Sequence, residues 1–349
     1  MMKAWVLEHN EVLEYKEVEI PIISETEVLV KVKASGICGS DISRIYKNGA
    51  HKTPLIPGHE FSGQVIEVGS NVDKKWKGKR VAIFPLIPCK KCKQCLDKKF
   101  EMCSKYNYLG SRTNGGFAEY VAVPEWNLIE LPQDVSYEEA ALLEPLSVAI
   151  HAVRKIEPNE KDNVVICGLG TIGILLAMVL KEKGQKNIYF IGNKEYQKNK
   201  LESIGFSAEN FCDCSNQDVY SWMSEKMQDN KVNVYFECVG NQQAFIQGIN
   251  LAAPGGKICL IGNPDSDKIE LDKQTYWKLL RNQLTIIGSW NSSFLHEVED
   301  DWNYALNKII KKVNLDLVIT HKFKLEDVNI GLEIMKNKKE NFTKIILLD

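Results

Sequence analysis

The chain has 349 residues, more than one hydrophobic core usually organises, so two domains are expected. With 44% hydrophobic and 26% charged residues it sits in the globular range, which excludes long disorder. A formal net charge of −2 gives no global attraction to nucleic acid or anionic membrane, so any anion site must be local.

The N-terminal MMKAWVLEHNEVLEY carries early charges and lacks the apolar core of a secretory signal, so a cytoplasmic protein is expected. EVLVKVKA (27–34) alternates like a half-buried strand, and EFSGQVIEVG (60–69) repeats the pattern. Gly and Pro punctuate this first third, in keeping with a β-rich lobe that carries functional side chains on its turns. Between these strands lie GICGSD, with Cys38 and Ser40, and PGHEFSG, with His59 and Glu60. Together with Glu144 in LLEPLSV they offer a thiolate, an imidazole and carboxylates. Such a set suits a catalytic metal with an open position. RIYKNGAH adds Arg44, Lys47 and His51, and GSRTNGG adds Arg112; these basic residues suit a local phosphate pocket or a solvated surface.

Ten cysteines in a reducing compartment argue against a disulfide framework. Cys89, Cys92, Cys95 and Cys103 form a C-x-x-C-x-x-C-x7-C cluster that fits a closed tetrathiolate site, for zinc or for an iron-sulfur cluster. The lysines between them suit a nucleic-acid knuckle or, more simply, offset the charge of four thiolates. Cys167, Cys212, Cys214, Cys238 and Cys259 are scattered and read mostly as small buried hydrophobes.

At Ser136 the texture changes. Ser136 and Glu139 make a capping box ahead of a helical apolar stripe. NVVICG, NIYFIG, VNVYFECVG, KICLIG and LTIIGSW then alternate with amphipathic segments, as in a parallel sheet flanked by helices. Val164 to Leu180 is apolar enough to raise the question of a membrane span, but Gly168, Gly170 and Gly173 give it another meaning. They stand in G-x-G-x-x-G spacing between a strand and a helix that begins at Thr171 and Ile172, where backbone amides and the helix dipole receive a dinucleotide pyrophosphate. The next strand ends in Gly192, Asn193 and Lys194 where NAD-binding folds place an acid, which favours NADP(H) and leaves NAD(H) open. The closing TKIILLD is strand-like and is expected to rejoin the first lobe.

The strings CGSD, GHEFSG, GGFAEY, EPLSV and GLGTIG, with the four-cysteine lobe, resemble the zinc-containing medium-chain dehydrogenase/reductase family over essentially the whole chain. Within it the chain is similar to the polyol branch of sorbitol, xylitol and sugar-alcohol-phosphate dehydrogenases, in particular the galactitol-1-phosphate 5-dehydrogenases. The resemblance implies a GroES-like catalytic domain (1–148 and 290–349, zinc lobe 89–103) split by a Rossmann domain (149–289). It implies two Zn2+: a structural one on the four cysteines and a catalytic one on Cys38, His59 and Glu144, with Glu60 entering or leaving that shell. Ser40 would begin a proton relay.

The free-polyol branch carries an Arg-Tyr pair where this chain has Asn291 and Ser292, a departure that turns the expectation toward a phosphorylated polyol. Free-polyol, pentitol-phosphate and simple secondary-alcohol dehydrogenases stay open, as does a non-catalytic member of the fold. Expected partners are a small-molecule substrate and further copies of the chain, as homodimer or homotetramer, with neither nucleic acid nor membrane.

Overall fold

The computed structural model describes residues 1–227 and 231–349. These form two compact units, one of Met1–Glu144, Ser293–Asn303 and Val318–Asp349, the other of Pro145–Ser292 and Tyr304–Leu317. Residues 145–148, 290–292 and 304–317, expected in the first lobe, therefore cluster with the second unit.

Strand Glu27–Ile37 organises the first unit. Its alternating apolar residues Val28, Val30 and Val32 join Phe61, Val65, Val121 and Val123 in one core cluster. It pairs antiparallel with Glu60–Val68, Tyr120–Pro124 and the C-terminal Lys344–Leu348, so the chain end does return to this lobe. Register then decides where chemistry gathers. Gly36 lies opposite Glu60 and Ile37 opposite Ile345. Cys38, His59, Glu60 and Lys344, remote in sequence, thus meet at one end of the sheet. A short helix, Gly39–Tyr46, follows directly, with Cys38 as its N-cap.

The second unit holds a six-stranded sheet whose pairings are all parallel, with Phe211–Asp213 at one edge and Thr285–Gly288 at the other. Asn163–Cys167 and Val232–Glu237 are neighbours at its centre. The apolar run 164–180 resolves into strand Asn163–Cys167 and helix Thr171–Glu182, whose residues 173–180 are all buried. Among the described residues no helix is long and apolar enough to cross a membrane. Ser136 caps helix Tyr137–Ala141 as its sequence predicts: its Oγ accepts the Glu139 N–H at 3.1 Å, and Glu139 Oε2 accepts the Ser136 N–H at 2.8 Å. A second helix, Leu143–Ile156, follows at once and carries Glu144 in its first turn.

Candidate active site

Two groups of side chains bring metal-ligating atoms within 4.8 Å of one another among the described residues: Cys38, His59 and Glu60, and Cys89, Cys92, Cys95 and Cys103. In the four-cysteine group, Cys92 Sγ lies 3.5 Å from Cys95 Sγ and 3.9 Å from Cys103 Sγ, and Cys89 Sγ lies 3.9 Å from Cys95 Sγ. A tetrahedron of thiolates around zinc, with metal-sulfur bonds of about 2.3 Å, spaces its corners about 3.8 Å apart. The residues therefore fit that ion without rearrangement. Backbone N–H groups, that of Cys95 foremost, pull the Cys92 thiol down to about 6, favouring the thiolate that a metal requires. Two lysines of this loop have partners other than the thiolates: Lys90 lies over the Trp126 ring and Lys98 pairs with Glu297 at 2.8 Å.

In the other group the helix after Cys38 does more than carry the thiol. Asp41, one turn on and fully buried, accepts the Cys38 N–H at 3.0 Å and the Arg44 guanidinium at 2.5 Å, and its Oδ1 lies 3.4 Å from His59 Nδ1. Burial alone pushes the His59 imidazole down, but Asp41 and Cys38 more than offset it and hold the ring well above its ordinary range. Burial likewise pushes Asp41 up, yet His59 and Arg44 keep it below the usual carboxylate range. A carboxylate beside one imidazole nitrogen leaves the other for a metal and orients the ring. Thiol, imidazole and carboxylate gathered within 4.8 Å, the thiol half-buried and the other two buried, are a donor set that zinc accepts.

Glu60 and Glu144 differ in their surroundings. Glu60 is paired with Lys344, itself 2% exposed, whose ammonium also donates to the Ile37 carbonyl at 3.1 Å. The pair needs Gly36, since a Cβ there would overlap the Glu60 carboxylate. Glu144 lies outside the set of mutually close ligand atoms and accepts the Tyr108 hydroxyl at 3.3 Å. Burial, reinforced by the Glu60 charge, pushes Glu144 up to about 7 against the opposing pull of His59 and Lys344. Ser40 is half-buried in the first turn of the helix after Cys38.

The basic residues separate into two sets. Arg44 is held by Asp41, and the Arg112 guanidinium stacks over Tyr106 at 4.6 Å with its Nε buried and unbonded. Tyr106 meets Tyr108 edge-on, and Tyr108 meets His59 in the same way, at 6.2 and 5.9 Å between centroids. Burial and then the charges of Arg112 and Arg44 push the exposed His51 down, so these three share one field. Lys47 is exposed at the helix end and is not among the groups acting on His51. Asn291 belongs to the second unit, in left-handed backbone with φ 58°, and spends its carboxamide on the Ser292 N–H.

In the second unit the three glycines sit in three different backbone settings. Gly168 has φ 93°, Gly170 has nothing within 4 Å of a would-be Cβ, and a Cβ on Gly173 would overlap the Gly168 carbonyl. The open side of Gly170, at the N-cap of helix Thr171–Glu182, is the cradle a pyrophosphate fits. Thr171 and Ile172, in its first turn, are half-buried. Gly192 ends its strand, Asn193 is exposed with its N–H bonded to Gln197 Oε1 at 3.0 Å, and Lys194 caps the next helix. Of the scattered cysteines, Cys167, Cys212 and Cys259 are buried and Cys238 half-buried, whereas Cys214 is exposed.

Residues 24–133 match the alcohol dehydrogenase GroES-like domain and residues 171–311 the zinc-binding dehydrogenase domain. Galactitol 1-phosphate 5-dehydrogenase of Escherichia coli K12 is 35% identical over 328 residues, 93% of this chain and 94% of its own. The chain belongs to the zinc-dependent alcohol and polyol dehydrogenases. A crystal structure of galactitol-1-phosphate dehydrogenase from Escherichia coli superposes with a TM-score of 0.91 at 33% identity, over 100% of both chains. Two further structures of this zinc dehydrogenase fold superpose with a TM-score of 0.89 over 100% of this chain and 99% of theirs. One is a short chain alcohol dehydrogenase of Escherichia coli CFT073 complexed with NADH, 29% identical, and the other a zinc-binding dehydrogenase of Sinorhizobium meliloti 1021 bound to NADP, 27% identical.

Sequence reasoning passed over Asp41, Tyr108 and Lys344. Asp41 had a signal, three residues after a helix-capping cysteine, where a capping box places an acid. Tyr108 and Lys344 had none, because only strand register and loop closure bring them to His59 and Glu60.

Proposed function

We propose that this dehydrogenase oxidises a secondary hydroxyl of a sugar-alcohol phosphate, a hexitol phosphate such as galactitol 1-phosphate, to the ketose phosphate, and reduces the ketone in reverse. One observation supports the substrate class: two guanidinium groups are held in place in this lobe, Arg44 by Asp41, which lies beside His59, and Arg112 over the Tyr106 ring, and the charges of both act on His51. Guanidinium groups held in place are the recognition elements a phosphate monoester requires.

Cys38, His59 and Glu60, whose ligand atoms lie together, would hold a catalytic zinc; Glu144, expected from the family resemblance as the third ligand, lies outside that set and would be the exchangeable one. Cys89, Cys92, Cys95 and Cys103 would hold a structural zinc. When bound, zinc supplies Lewis acidity that lowers the pKa of a hydroxyl, and the dinucleotide supplies the hydride acceptor. The chain's own residues do the rest. Asp41 fixes the His59 ring, Tyr108 orients Glu144, Arg44 and Arg112 anchor the phosphate, and the Ser40 hydroxyl takes up the substrate proton. Gly168, Gly170, Thr171, Ile172 and Gly173 receive the pyrophosphate. NADP(H) is the preferred cofactor in this reading, because Gly192 and Asn193 put no acid beside the ribose and Lys194 offers a cation to its 2′-phosphate.

The decisive experiment is a panel of free and phosphorylated polyols with NADP and NAD, followed by reduced-nicotinamide absorbance. A preference for free polyols overturns the substrate class, and a clear preference for NAD overturns the cofactor reading. Cys38→Ser and His59→Ala should abolish turnover while dinucleotide binding survives; retained turnover overturns the metal role. Ten unpaired cysteines suit a reducing, cytosolic setting. The exposed edge strand Thr285–Gly288, beside exposed Tyr276, Trp277 and Leu280, supports association of two copies.

A further inference from the structure

After Ser292 the chain leaves the second unit, runs through Ser293–Asn303 in the first, and returns at Tyr304. Apart from the helix Asp301–Tyr304 at its end, this segment has no regular secondary structure, so side chains must hold it. Two carboxylates close its own turns. Asp300 Oδ2 accepts the N–H groups of Leu295 at 2.9 Å and Glu297 at 3.2 Å, and Asp301 Oδ2 accepts the Ser293 N–H at 2.8 Å. Phe294, 1% exposed, packs tilted on Phe84 with 5.0 Å between centroids. His296 stands in left-handed backbone with φ 59°, a conformation uncommon for a residue with a Cβ unless its surroundings fix it.

Trp126 supplies that fixing. The His296 Nε2–H donates to the Trp126 carbonyl at 2.8 Å, and the rings of Phe294 and His296 meet the indole edge-on at 5.3 and 5.4 Å. The same indole receives the four-cysteine lobe. Lys90, between Cys89 and Cys92, places its ammonium 5.0 Å from the ring centre, and Phe100, between Cys95 and Cys103, meets the ring edge-on at 5.1 Å. Both are carried by backbone that the four thiolates pin when they share one ion. From the sheet side Trp126 is anchored by its neighbour: the buried Asn127 carboxamide donates to the carbonyls of Phe84 at 2.6 Å and Leu86 at 2.9 Å. The direct ion pair between lobe and segment, Lys98 with Glu297, joins side chains 69% and 54% exposed, so solvent screens it and it holds little.

We propose that Trp126 is a positioning residue through which the metal-filled four-cysteine lobe holds segment Ser293–Asn303 in place, so that the ion orders residues far outside its own loop. The inference rests on the structural-metal reading above. Without the ion, Lys90 and Phe100 lose their fixed places, and Trp126 keeps its backbone anchor but not the setting of its ring. The segment then loses two aromatic contacts that no strand pairing replaces.

The test is amide hydrogen exchange, read by mass spectrometry on the purified, metal-loaded enzyme and its variants, alongside metal analysis. In Cys92→Ser, peptides covering 293–303 should exchange about tenfold faster or more, while strand Glu27–Ile37 keeps its protection. Trp126→Leu should give the same loss over 293–303 with both ions retained and residues 89–103 still protected. A Cys92→Ser protein that loosens over 89–103 but not over 293–303 overturns the proposal. So does an equal rise over Glu27–Ile37, which is what general destabilisation of the unit would give. If Cys92→Ser does not fold, Trp126→Leu decides, and unchanged exchange over 293–303 overturns the proposal. A Cys92→Ser protein that holds as many ions per chain as wild type overturns the structural-metal reading itself, a distinguishable result.

Discussion

At the scale of single residues, Asp41 shows how one buried carboxylate serves three masters. It caps the helix after Cys38, steers His59 and holds Arg44. Asp41→Asn keeps the size but not the charge, so both the proton affinity of His59 and the grip on Arg44 should fall. A fall in kcat together with a rise in KM for the phosphorylated substrate, in steady-state kinetics, is the expected signature. Arg44→Ala should raise KM for the phosphorylated polyol and leave that for a free polyol unchanged; an equal rise for both would sink the phosphate assignment. Lys344 offers a stability test. Removing its ammonium by Lys344→Met leaves the Glu60 charge buried without its partner, a change that typically costs about 3–5 kcal/mol. Urea unfolding of the variant checks this, and Lys344→Met with Glu60→Gln should recover much of the loss.

At the scale of elements, the strand, glycine turn and helix over 163–182 work as one piece. Gly173→Ala forces a methyl into the Gly168 carbonyl and should cost about 1–3 kcal/mol through overpacking, with weakened dinucleotide binding in a fluorescence titration with NADPH and NADH. The capping box at Ser136 is a separable contribution. Ser136→Ala should lower unfolding free energy by about 1 kcal/mol and leave kinetic constants alone, because its bonds close only the local helix. The contrast between these two variants distinguishes an element that shapes a site from one that only stabilises a lobe.

At the scale of the whole molecule, the two proposed metal sites differ in how their ligands are spaced along the chain. Four cysteines near in sequence enclose one site and leave no position open, so Cys92→Ser should lower Tm before it lowers kcat per folded molecule. Zinc content by metal analysis should fall from two ions to one per chain in that variant. Exposed Tyr276, Trp277 and Leu280 beside the edge strand predict self-association. Sedimentation equilibrium should report a dimer or larger, and Trp277→Glu should shift it toward monomer.

Local signals made much of this legible in the sequence. The four-cysteine spacing, the G-x-G-x-x-G between a strand and a helix, the Ser136 cap and the alternating strands each act over fewer than about twenty residues, where backbone geometry and hydrogen-bond reach are set by the residues themselves. Fold class and family followed from those pieces together. What only the tertiary structure decided is the company the site residues keep. Lys344 reaches Glu60 because strand Lys344–Leu348 pairs in one register with Glu27–Ile37, Tyr108 reaches Glu144 across 36 residues, and His296 reaches the Trp126 carbonyl across 170. Those contacts depend on strand register, loop closure and the space that Gly36 leaves free. Such quantities arise from the packing of distant segments, so no local pattern of residues encodes them.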